Sequence, residues 1–131
     1  MSRRILQIVL AALGIVAVVA GAGQVLFGAA FTPHPGNFSA NLDSEMRFFA
    51  VWYVLIGILL VRASKDVESP GWTLRAVMAT LFVAGCTRIL SWATVGPPDT
   101  RFVVLMVIEL VLPLIVTPWQ ISVERAGEAT N

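Results

Sequence analysis

Apolar residues gather in four long runs, about 5–27, 46–62, 74–94 and 102–121, divided by short polar segments. A helix that crosses a bilayer needs about 20 apolar residues at about 1.5 Å each. Each run meets or approaches that length, and together they use up the chain. The pattern predicts an all-α fold: an integral membrane four-helix bundle, antiparallel and up-down-up-down, with 1–131 as a single transmembrane domain. A soluble catalytic or nucleotide-binding domain has no room in 131 residues so divided.

The first run also has the outline of a signal peptide. Arg3 and Arg4 precede it, and Ala20-Gly21-Ala22 fits a small-x-small cleavage site. The apolar run continues past that point through Val25, Leu26 and Phe27, as a span requires and a signal core does not.

The connections agree with four spans. Ser64 to Gly71 is a polar turn ending in Pro70-Gly71. Gly96-Pro97-Pro98-Asp99-Thr100 suits only a tight hairpin, with Asp99 or Thr100 capping the fourth helix. Asn41-Leu42-Asp43-Ser44-Glu45 opens the second helix, with Asp43 or Ser44 as N-cap and Glu45 in the first turn. Small residues at a spacing of four, Ala17 and Gly21 in the first helix and Ala76, Thr80 and Ala84 in the third, let helices approach closely in lipid. Extending the third-helix stripe by four reaches Arg88, which places that charge inside the bundle.

Charge sets the orientation. Arg3, Arg4, Arg62, Lys65, Arg75 and Arg125 fall on one side of the four spans, against Arg101 and Arg47 on the other. The positive-inside rule then puts both termini in the cytoplasm. Trp52, Trp72, Trp92, Trp119 and Tyr53 lie mostly near run ends, where amphipathic rings anchor at the interface.

Composition narrows the chemistry. Hydrophobic residues make up 57% of the chain, and the mean hydropathy is +0.83. A net charge of +1 without a basic run gives nucleic acid nothing to bind. The single cysteine, Cys86, excludes an internal disulfide, and the single histidine, His34, sits in a loop between Pro33 and Pro35. No metal-ligand spacing, nucleophile elbow, phosphate loop or haem motif is present, so no cofactor is expected.

The polar residues that interrupt the apolar runs are the candidate site: Gln24, Glu45, Arg47, Arg88 and Glu109. Gln24, Arg47, Arg88 and Glu109 lie in the halves of their runs expected to face outward, and Glu45 stands just ahead of the second run at the same end. Arg88 and Glu109 flank the tight turn at similar depths, about 9–10 Å in from the run ends, and are expected to pair. Arg47 is expected to pair with Glu45 or Asp43. A charge at a helix centre costs about 2.5–3.5 kcal/mol on insertion scales, which favours pairing or a ligand. Pro113 lacks the N–H that would bond the carbonyl of Glu109, so carboxylate and carbonyl are presented at one place. Pro118 does the same to Leu114. Such a layer holds helices together, or it receives an anionic or carbonyl headgroup on Arg47 and Arg88 with Glu109 orienting it.

The segments Asn41-Leu42-Asp43-Ser44-Glu45-Met46-Arg47-Phe48-Phe49-Ala50, Arg88-Ile89-Leu90-Ser91-Trp92 and Glu109-Leu110-Val111-Leu112-Pro113 resemble a bacterial family of small four-helix membrane proteins known only as a domain of unknown function. The resemblance spans nearly the whole chain. It implies a four-helix bundle in a bacterial plasma (inner) membrane and carries no activity.

Two functions are open on the sequence. The first is a non-enzymatic accessory or scaffold subunit of a larger membrane complex or homo-oligomer, in contact with the lipid bilayer. The second is a binding protein or minimal enzyme for a lipid, quinone or similar apolar molecule with a polar head.

Overall fold

A computed structural model describes residues 2–67 and 71–129. Glu68, Ser69 and Pro70 of the expected polar turn lie outside the described residues. Four helices account for most of the chain: α1 Arg3–Phe27, α2 Ala40–Lys65, α3 Trp72–Val95 and α4 Thr100–Glu128. A short 3-10 helix, Gly28–Phe31, follows α1. No strand occurs among the described residues. All four helices are long and apolar enough to cross a membrane.

The helices outrun the apolar runs at most ends. α2 begins at Ala40, ahead of the apolar run from 46, and α4 continues to Glu128, beyond 121. Apolar length measures the hydrocarbon crossed, whereas backbone hydrogen bonding continues into water wherever polar helix formers follow. The early start of α2 changes its cap. Ser39, not Asp43 or Ser44, accepts the N–H of Leu42 at 3.2 Å, and Asp43 lies within the first turn.

The chain divides into two compact units. One comprises Gln7–Lys65; the other comprises the residues from Asp66 onward, together with the first residues through Leu6. In the first unit α1 meets α2 through glycine. A Cβ on Gly14 would stand 2.6 Å from the carbonyl oxygen of Gly57, and one on Gly57 would stand 2.6 Å from that of Gly14. Gly21 is nearly as close, with a Cβ there 2.9 Å from Val54 and 3.0 Å from the carbonyl oxygen of Ala50. Gly21 is therefore a contact residue as expected, and Gly14 shares its role in α1. With no hydrophobic drive between helices in lipid, close backbone contact of this kind supplies the attraction.

In the second unit α3 turns its Gly85 to Leu110 and Glu109 of α4, leaving 2.8 Å between a Cβ there and Leu110 Cγ. The buried face of α3 carries Leu74, Val77, Met78 and Gly85. Ala76 and Thr80 are exposed, so the expected small-residue stripe is not the packing face. Steps of four advance about 40° around a helix. The stripe winds off the exposed side, and only its end near Arg88 reaches α4.

The turn between α3 and α4 rests on two residues. Gly96 takes φ +119° after α3 while its N–H bonds the carbonyl of Trp92 at 3.0 Å, a conformation that favours glycine. Asp99 caps α4 as expected, accepting the N–H of Arg101 at 2.9 Å. Pro113 and Pro118 are both inside α4, which continues as a helix through them. Large apolar side chains stand exposed along the helices, among them Ile15, Val19, Leu55, Val83, Val107 and Leu114. In water this surface would be unstable; in lipid it is solvated.

Candidate functional site

Four of the five candidate residues fall into two separate arrangements, one in each unit. In the first unit Arg47 reaches from α2 to the end of α1. Its Nη1 donates to the carbonyls of Val25 at 2.7 Å and Leu26 at 2.9 Å. The last turn of a helix leaves carbonyls without intrahelical donors, and here a guanidinium from another helix supplies them. Arg47 Nε donates to Asp43 Oδ2 at 2.7 Å, one turn back in α2. The other oxygen of Asp43 accepts the backbone N–H of Ala29 at 2.8 Å. Gln24 donates to the carbonyl of Gly28 at 2.7 Å.

Gly28 is the residue this latch depends on. It has φ +57°, and a Cβ there would fall 2.0 Å from Asp43 Oδ1 and 2.8 Å from Arg47 Nε and Nη2. Of the two carboxylates offered to Arg47 by the sequence, Asp43 is the partner. Glu45 is exposed and makes no ion pair among the described residues.

In the second unit Arg88 and Glu109 meet as expected. Arg88 Nε donates to Glu109 Oε2 at 2.7 Å and Nη2 donates to Oε1 at 3.0 Å. This is a two-pronged pair whose planar donor and acceptor groups match in geometry as well as charge. Glu109 is 5% exposed. The ring of Phe102, in the first turn of α4, lies 5.7 Å from Arg88 Cζ and covers the cation. Gly85, one turn before Arg88, keeps the two helices close by lacking a side chain: a Cβ there would stand 3.3 Å from Glu109 Cβ.

A third cluster was not among the sequence candidates. Arg75 of α3 donates through Nε to Gln120 Oε1 at 3.3 Å and through Nη2 to Glu124 Oε2. Gln120 Nε2 donates to the same Glu124 oxygen at 2.9 Å. Gln120 is 1% exposed and packs on Gly71, where a Cβ would stand 2.4 Å from its Cδ. Trp72 lies 5.5 Å from the Arg75 guanidinium. The sequence held a signal for this cluster. Gln120 and Glu124 are four apart, hence on one helix face, and Gln120 is the one amide in the last apolar run. Arg75 stands apart in the sequence as a topology charge, and its distant partners emerge only when α3 and α4 pair.

The remaining reactive side chains do not assemble. No group of three or more His, Cys, Asp or Glu capable of holding a metal occurs among the described residues. Cys86 is exposed on α3. His34 sits in the irregular segment before α2 with φ +52°. Arg88–Glu109 and Arg75–Glu124 each tie α3 to α4, while Arg47, braced by Asp43 within α2, ties α2 to the end of α1 through the carbonyls of Val25 and Leu26.

Neither a curated protein nor a solved structure matches this chain. The segments that carry the two-pronged pair and the Arg47 latch lie within the reach of a family model, described as Domain of unknown function (DUF4345), that matches residues 5–120. The chain belongs to that family.

Proposed function

We propose that this protein is a non-enzymatic accessory or scaffold subunit of a larger membrane complex. Its four helices cross a bacterial inner membrane as an antiparallel, up-down-up-down bundle with both termini in the cytoplasm. The charge asymmetry of the connections supports the orientation. The observation that carries the functional reading is the closed Arg88–Glu109 pair, in which both carboxylate oxygens are taken by one guanidinium. A catalytic or transport group presents free valence to a substrate. Here the most buried charge is spent on holding α3 to α4.

The outward surface fits the same reading. It is apolar along every helix, which suits lipid and the flanks of neighbouring membrane helices alike. The test is extraction from the native membrane in several mild detergents, followed by native mass spectrometry. A second polypeptide at fixed stoichiometry is the expected result. A monomer or homo-oligomer in every detergent, with no second chain, would sink the proposal.

A further inference from the structure

The Arg47 latch is incomplete on one side. Nε and Nη1 are engaged by Asp43, Val25 and Leu26, while Nη2 has no hydrogen-bond partner among the described residues. The Arg47 side chain is 42% exposed. A guanidinium has five donors in a rigid fork, and the two on Nη2 are engaged by neither the carboxylate nor the carbonyls. Gly28 contributes by its lack of a side chain, since a Cβ there would stand 2.8 Å from Nη2.

The place of this open edge along the chain indicates what it meets. Arg47 is the last charged residue before Arg62 in α2, and only apolar residues, glycine and Trp52 and Tyr53 intervene. On its other side come Glu45, Ser44 and Asp43. In a spanning helix that transition marks the boundary between hydrocarbon and headgroups. Exposed aromatic rings gather in the same segments: Phe48 and Phe49 follow Arg47 directly, and Phe27 and Phe31 stack at 6.3 Å beside the capped end of α1.

Charge selects among anions. Asp43 already neutralises Arg47, so a dianion added there would leave the site with a net double negative charge next to hydrocarbon. A phosphodiester carries one negative charge, and a zwitterionic headgroup adds none in total. We propose that Arg47 Nη2 donates to a phosphate oxygen of a phospholipid headgroup, with the acyl chains lying along the apolar surface of α2. The site is distinct from the Arg88–Glu109 pair and does not depend on the accessory reading. Loss of lipid discrimination and absence of a partner polypeptide are separate results.

The experiment uses delipidated full-length protein and native mass spectrometry with four probes: short-chain phosphatidylglycerol, short-chain phosphatidylethanolamine, the matching diacylglycerol, and inorganic phosphate. Both phosphatidyl lipids are expected to bind at one per chain, with the diacylglycerol at least about ten-fold weaker. Arg47→Gln should abolish that difference, and Asp43→Asn, which keeps the guanidinium and removes the competing negative charge, should preserve or enlarge it. If Arg47→Gln loses its helical circular dichroism, Arg47→Lys replaces it. A single ammonium cannot cap the α1 carbonyls and reach outward together, so discrimination should still fall. Equal binding of phosphatidyl lipid and diacylglycerol to the wild type overturns the proposal. So does undiminished discrimination in a folded Arg47 variant, or loss in Asp43→Asn as large as in the Arg47 variant. Displacement of phosphatidylglycerol by millimolar inorganic phosphate would overturn the lipid assignment and give the same donors to a soluble phosphate.

Discussion

At the residue scale, one buried pair and one glycine bear the most weight. Glu109 and Arg88 are each tolerable in an apolar surround because of the other. Removing one partner of a buried pair leaves an uncompensated charge, at a typical cost of about 3–5 kcal/mol. Arg88→Gln and Glu109→Gln are each expected to destabilise the protein by that order, and the double variant by clearly less than the sum. A double-mutant cycle from denaturant titration in detergent checks it, and additive losses would refute the pairing role. Gly28→Ala is the second case. A left-handed backbone costs an L-residue about 1–2 kcal/mol, and the added methyl meets Asp43 and Arg47 as well. A melting temperature equal to wild type would show that the latch tolerates what its geometry forbids. Of the site residues, the Arg88–Glu109 pair was legible because a short turn ties the two depths together. The choice of Asp43 over Glu45 was not. Asp43 shares the face of Arg47, one turn back, only because α2 already runs at 43, ahead of the apolar run from 46, whereas Glu45, two residues away, falls on the opposite side.

At the element scale, glycine decides which helix faces meet. Gly14 and Gly57 place backbone against backbone in the first unit, and Gly85 does so in the second. At Gly14 and Gly57 added bulk meets a backbone carbonyl oxygen first, whereas at Gly85 it meets the side chain of Leu110. Gly57→Leu is therefore expected to be more damaging than Gly85→Ala. Overpacking costs about 1–3 kcal/mol where the surround can adjust, and contact with a carbonyl oxygen cannot adjust by side-chain rotation. Thermal unfolding of the two variants in one detergent would test the order; a reversed order would count against it. The helices themselves were legible as elements, since run length and apolarity are local properties. Their ends and their packing faces were less so. Ser39 caps α2 because the helix extends into polar sequence, and the stripe through Ala76 and Thr80 faces outward because a repeat of four precesses around the helix.

At the scale of the whole molecule, the proposed topology makes a prediction of its own. A fluorescent reporter that folds only in the cytoplasm should shine when fused after Asn131, and alkaline phosphatase fused there should be inactive. Phosphatase inserted between Gly96 and Asp99 should be active. A phosphatase-active C-terminus would remove one span or invert the bundle. The same fusions bear on the lipid site, which in this orientation faces the outer leaflet.

Apolar run length, charge placement and turn residues were sufficient, from sequence alone, for an all-α chain with four helices able to cross a membrane, because the bilayer imposes its thickness and polarity on each span separately. The tertiary structure decided what no span contains by itself. It set Asp43 and the α1 carbonyls as the partners of Arg47, joined Arg75 to Gln120 and Glu124 across two helices, and left one edge of Arg47 open. Those outcomes depend on the rotation of each helix about its axis. Rotation is fixed by glycine contacts between residues distant in sequence, Gly14 with Gly57 and Gly85 with Leu110, and no local pattern encodes it.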